Sequence, residues 1–162
     1  MTKFPRMIRL ILLTGWPLLL LAGCGAEDGE AKSRAALISR VEPPPVMISP
    51  ESVQAKKELK QISKDAASVN SNYDAAVARS DDDILVSYKV KHSHRFRMKK
   101  IEKEVIKKLE KKYPDYKFTV SSDYKIFLEI VRLGEKIEDG TYDMKAAKKR
   151  FKEIKLLKEE LT

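Results

Sequence analysis

Between residues 84 and 120 the apolar side chains change their spacing twice, and that change confines the fold more tightly than any other stretch. Ile84, Val86, Tyr88 and Val90 alternate with Leu85, Ser87, Lys89 and Lys91, the two-residue period of a hairpin strand with one half-buried face. Met98, Ile101, Val105 and Leu109 then recur at intervals of three and four, which predicts a helix over residues 96–112. Tyr113-Pro114-Asp115 ends it, because the residue before a proline disfavours the helical region. Tyr116, Phe118 and Val120 return to alternation. Strand, helix and strand in this order make a crossover with parallel strands.

A further strand-like run, residues 73–79, is separated from residues 84–91 by Ser80-Asp81-Asp82-Asp83, which is turn chemistry, so an antiparallel hairpin joins the crossover. Upstream, Ser49-Pro50-Glu51 suits a helix start, with Ser49 as cap, Pro50 in the first turn and Glu51 against the helix dipole. Val53, Leu59 and Ile62 give that helix a thin apolar stripe up to about residue 69; a solvated, partly frayed helix fits the same residues. Downstream, Ser121, Ser122 and Asp123 offer caps to a helix reaching residue 138, with Ile126, Phe127, Ile130, Val131 and Ile137 on its apolar side and Gly140 as its stop. A last helix over residues 143–161 carries Met144, Ala147, Phe151, Ile154 and Leu161. The expected fold is α+β: a small three-stranded mixed sheet, antiparallel hairpin plus crossover strand, with helices on one face.

The front of the chain has another character. Lys3, Arg6 and Arg9 precede an apolar stretch over residues 10–22, the layout of a secretory signal. A helix over that stretch would measure roughly 20 Å against about 30 Å of hydrocarbon, and Pro17 weakens it further. The stretch closes on Leu21-Ala22-Gly23-Cys24, which resembles the bacterial lipobox, in which a peptidase recognises the three residues before a cysteine that carries a palmitate-type diacylglyceryl group. The chain then divides into a signal peptide over residues 1–23, a lipidated and largely disordered tether over residues 24–50, and the domain over residues 51–162. In the tether, Pro43-Pro44-Pro45 favours an extended spacer, and Leu37, Ile38 and Val41 suit a brief helix before it. Cys24 is the single cysteine, which excludes an intrachain disulfide and a cysteine-based zinc cluster.

Cleavage ahead of Cys24 takes three basic and no acidic side chains from a chain that has 33 and 24, leaving a net charge of +6. Residues 89–117 alone hold twelve basic and four acidic side chains. Their excess exceeds that of the whole mature chain, so the remainder is slightly acidic. Arg95, Arg97, Lys99, Lys100, Lys103, Lys107, Lys108 and Lys111 are therefore the candidate contacts for a polyanion, either anionic lipid or a wall polymer. Export makes nucleic acid an unexpected partner. The competing reading is a solvated helix face laced by pairs such as Glu104 with Lys108.

Catalytic chemistry finds little footing. His92 and His94 point the same way along an extended segment, but they are the only histidines, and a zinc site would need carboxylates to complete it. No metal or other cofactor is expected. Ser121 and Ser122 beside Asp123 read as caps rather than as a nucleophile, since no base accompanies them. An enzyme is not expected; an extracytoplasmic hydrolase would need a cleft joining His92 or His94 to several carboxylates.

The segment over residues 84–140 resembles the sporulation lipoproteins of endospore-forming bacteria, the YhcN/YlaJ group. The likeness is carried by Ile84-Leu85-Val86-Ser87-Tyr88-Lys89-Val90-Lys91, by Arg95-Phe96-Arg97-Met98-Lys99-Lys100-Ile101-Glu102-Lys103, by Tyr113-Pro114-Asp115-Tyr116 leading to Val120-Ser121-Ser122-Asp123, and by Gly140. The lipobox is a separate trait of that family. The resemblance implies a protein held on a spore membrane, the inner one, by its diacylglyceryl anchor, working in spore formation or germination through an unidentified spore protein. It supplies no catalytic residues. The linker here is rich in Ala and Pro where many members of the family have an acidic or Asn-rich one.

Overall fold

A computed structural model of the chain describes residues 42–49, 52–69 and 72–161. The signal segment, Leu21 to Cys24, the tether up to residue 41 with Leu37, Ile38 and Val41, and the Pro50-Glu51 pair lie outside the described residues. The elements are β1 (Val46–Met47), α1 (Val53–Ala67), β2 (Asn72–Ser80), β3 (Asp83–Val90), a 3-10 turn (His92–Arg97), α2 (Met98–Lys112), β4 (Lys117–Ser121), α3 (Tyr124–Glu138) and α4 (Met144–Glu160).

The fold is α+β: among the described residues four helices surround a four-stranded mixed sheet in the order β1-β2-β3-β4. The hairpin and the crossover are both present: β2 and β3 are antiparallel, and β3 and β4 are parallel. Two expectations need correction. A fourth strand, β1, runs parallel to the end of β2, with Val46 beside Ala78 and Met47 beside Arg79. Its residues belong to the domain and not to the tether, and Ile48 after it is fully buried. The three prolines before it have no N–H to offer, so they lead into the rim of the sheet, where a missing donor costs least.

Helices also cover both faces of the sheet rather than one. On the first face, Leu59, Ile62 and Ala66 of α1 and Ile101, Val105 and Leu109 of α2 pack on Val77, Val86, Tyr88 and Val120. On the second, Phe127, Ile130 and Leu133 of α3 and Phe151 and Ile154 of α4 pack on Ala76, Ala78 and Leu85. The stripes of α3 and α4 require this second layer, because each large apolar side chain taken from water contributes about 2 kcal/mol and the first face is already filled by α1 and α2. Among the described residues both layers draw on positions between 46 and 157, all of which a chain lacking residues 1–23 retains.

Local chemistry sets the boundaries. Ser52, and not Ser49, caps α1 by accepting the Ala55 N–H at 3.0 Å. Ser49 instead binds the β2–β3 turn, accepting the Asp81 N–H at 3.0 Å and donating to its carboxylate at 3.1 Å. Val53, counted in the α1 stripe, is exposed. Asp81 holds a φ of 55°, a conformation aspartate tolerates in tight turns. Asp123 and Asp143 cap α3 and α4 through the Lys125 and Ala146 N–H groups. Gly140, at φ 77°, lies just past the end of α3 as expected. Gly134 lets α3 approach the sheet rim: a Cβ there would stand 2.9 Å from the Val46 Cγ2.

A candidate interaction surface at the start of the basic helix

The run from Lys89 to Lys117 spans three environments. Lys89, placed by alternation on the outer face of β3, is fully buried because α3 covers that face. Its ammonium is 3.3 Å from the Asp74 carboxylate, its neighbour across the hairpin, and 4.4 Å from the centroid of the Phe127 ring. Removing an ammonium from water is tolerable only with such an opposite charge and an aromatic face nearby.

The C-terminal part of α2 is tied to α1. Lys112 donates to the Asp65 carboxylate at 2.6 Å, and the Tyr113 hydroxyl donates to the same oxygen at 2.7 Å. Lys108 donates to the Asp65 carbonyl at 3.1 Å and to the Ser68 hydroxyl at 2.7 Å. Burial would raise the Asp65 carboxyl, but the hydrogen bonds from Lys112 and Tyr113 and the charges of Lys112 and Lys108 outweigh it and hold the group below its ordinary value. Lys108 therefore serves the fold, which corrects its expected place among free polyanion contacts. Lys107 and Lys111 remain exposed on the outer side of α2.

The N-terminal part is different. After Val90 the chain leaves the sheet, turns through the 3-10 segment with the His94 N–H donating to the Lys91 carbonyl at 2.8 Å, and enters α2 at Met98. The expected helix start at residue 96 thus falls in the 3-10 turn. Lys91, Arg95, Arg97, Lys99, Lys100 and Lys103 are all exposed there. No acidic residue occurs between Asp83 and Glu102. Glu102 is half-buried, lies 3.8 Å from Lys158 of α4, and has a carboxyl raised by burial against the pull of Lys158 and Lys99. Arg95 lies 5.8 Å from the centroid of the Tyr124 ring. Tyr124 in turn hydrogen-bonds Tyr73, whose hydroxyl is pushed up to about 12 by burial and by that bond. This aromatic pair joins the corner to the start of β2.

Phe96, between the two arginines, is 100% exposed. Met98, expected in the helical stripe, sits at its rim with 38% of its surface open. Periodicity had a clue to Phe96: it stands five residues before Ile101, about 140° away around a helix at 100° per residue, and so cannot share the stripe of Ile101, Val105 and Leu109.

The histidines lie on the 3-10 turn, His92 exposed and His94 half-buried. Among the described residues no group of three or more His, Cys, Asp or Glu side chains is arranged to hold a metal ion. A groove of about 600 Å³ opens elsewhere, between the Pro43-Pro44-Pro45 segment, Lys60, Ser63 and Lys64 of α1, and the start of β2. Neither histidine lines it, so the His–carboxylate cleft that a hydrolase would need is not formed there. No helix among the described residues is long and apolar enough to cross a membrane. The chain matches no protein-family model, no curated protein and no solved structure.

Proposed function

We propose that this chain is a lipid-anchored, non-enzymatic lipoprotein of the outer face of the cell membrane, serving spore formation or germination through contacts with envelope proteins. One observation carries the reading: an apolar segment of signal-peptide length, preceded by three cations, that closes on Leu21-Ala22-Gly23-Cys24. Two acyl chains on Cys24, at about 0.8 kcal/mol per buried methylene, make a stable anchor where one chain is marginal. The seventeen residues between Cys24 and Glu42 reach at most about 60 Å, which lets the folded domain touch the bilayer that holds it. The resemblance to sporulation lipoproteins points to the inner spore membrane.

Fractionation of cells expressing Cys24→Ser tests this. The native chain is expected to stay with membranes through a high-salt wash and the variant to be released; a variant that stays would overturn the anchor.

A second reading, a polyanion-binding module, is favoured by the exposure of Arg95, Arg97, Lys99 and Lys100 around Phe96. It is compatible with the first, since an anchored domain meets anionic lipid and wall polymer together.

A further inference from the structure

We infer that the corner over residues 91–100 is a bilayer-docking surface, in which Phe96 enters the headgroup layer of an anionic membrane while Lys91, Arg95, Arg97, Lys99 and Lys100 engage its phosphates. The inference deepens the polyanion reading and rests on it, but it does not depend on lipidation of Cys24.

A single exposed apolar side chain is ordinary on a protein surface. Here the phenyl ring is wholly in water, Met98 is two residues away, and five exposed cations surround the pair without one acidic residue among them. Among the described residues none of the five has a carboxylate within 4 Å; the nearest acid in sequence, Glu102, pairs with Lys158. Arg95 lies near the Tyr124 ring and Lys99 acts on Glu102 at longer range, but no carboxylate neutralises any of the five at contact distance, so their charge is available to an outside partner.

The mixture of chemistries selects the partner. A hydrophilic wall polymer would neutralise the cations but leave the phenyl ring in water. An anionic bilayer supplies phosphates at its surface and apolar chains just beneath, the arrangement that basic, aromatic-bearing segments recognise. The ring stands wholly exposed on the 3-10 turn, which suits a deformable layer.

The test uses residues 24–162 carrying Cys24→Ser, which retains both packed layers and has no acyl chain. Trp16 is the only tryptophan of the chain and is absent from this form, so Phe96→Trp places one fluorophore at the proposed contact. With phosphatidylglycerol/phosphatidylcholine vesicles at low salt, co-sedimentation and a blue shift of the tryptophan emission are expected, with neither on phosphatidylcholine alone. Phe96→Ser is expected to weaken binding about tenfold. Lys99→Gln with Lys100→Gln is expected to weaken it about 25-fold, at roughly fivefold per cation near an anionic surface. Unchanged far-ultraviolet circular dichroism and a melting temperature no lower than that of the parent establish that each variant is folded.

No binding at low salt would overturn the inference, as would binding without an emission shift, which leaves charge alone at work. Equal or tighter binding to polyphosphate or a single-stranded oligonucleotide would assign the corner to a soluble polymer instead. Any of these results leaves the Cys24 anchor standing, and release of Cys24→Ser from cells leaves the vesicle result standing.

Discussion

At the C-terminal end of α2, Lys108 and Lys112 close on Asp65 and its neighbours, whereas at the N-terminal end Lys99 and Lys100 face water beside an exposed Phe96. The two ends are alike in composition and opposite in consequence. Cations in the last turn complement the helix dipole and here also satisfy a partly buried carboxylate; cations in the first turn oppose the dipole. The first turn of α2 has no acidic residue, and Arg97, at its cap position, makes no side-chain capping bond. Folding therefore gains from one end of the helix and gains nothing from the charge at the other. A stretch that runs against local stability rules is where function is most reasonably sought.

Three substitutions test that contrast, beginning with the deepest lysine of the run. Asp74→Ala removes the carboxylate facing the fully buried Lys89 and is expected to lower stability by about 3 kcal/mol in urea unfolding. A loss below about 0.5 kcal/mol, the range of ordinary surface substitutions, would mean that Lys89 is not held as described. Asp65→Asn comes next, at about 2 kcal/mol, because it weakens the bonds from Lys112 and Tyr113 together. Its effect also depends on pH. The Asp65 carboxyl is held below 3.8 in the folded chain and returns to about that value on unfolding, so its contribution is complete above that range and is lost as pH falls through the folded value. Melting curves of native chain and variant should therefore differ at pH 7 and converge in strong acid; a constant gap would detach the effect from the carboxylate.

The smallest expected change has the opposite sign. Lys100→Glu puts an acid in the first turn of α2 and should raise stability by about 0.5 kcal/mol while weakening vesicle binding. If it destabilised the domain, the N-terminal end would be structural after all.

The middle of this fold was legible in the sequence, and its margins were not. The change of period between Tyr88 and Val120 located β3, α2 and β4 within a residue or two, because strand and helix periods are hard to confuse over such lengths. Strand β1 escaped notice because two paired residues show no period, and the prolines before Val46 read as a spacer. The second helical layer was missed because Ser87 and Lys89 made the outer face of β3 look wet. A lysine hides its charge from a pattern reading when its partner, Asp74, lies in another element. The candidate surface was half legible: charge counting found the run, but only packing separated Lys108, which binds α1, from Lys99 and Lys100, whose side chains make no hydrogen bond or close ion pair among the described residues. Phe96 reads in the sequence as the first residue of the expected helix and as part of the family likeness, although its phase sets it apart from the stripe.

The most direct measurement compares two paired variants of the same helix, Lys99→Gln with Lys100→Gln and Lys108→Gln with Lys112→Gln, each followed by thermal unfolding and by sedimentation with anionic vesicles. The first pair should lose about 25-fold in binding at a melting temperature that is unchanged or slightly raised, and the second should melt lower while keeping most of its binding. Equal losses of binding in both pairs, or a melting temperature that falls only in the first, would contradict the division of labour along α2.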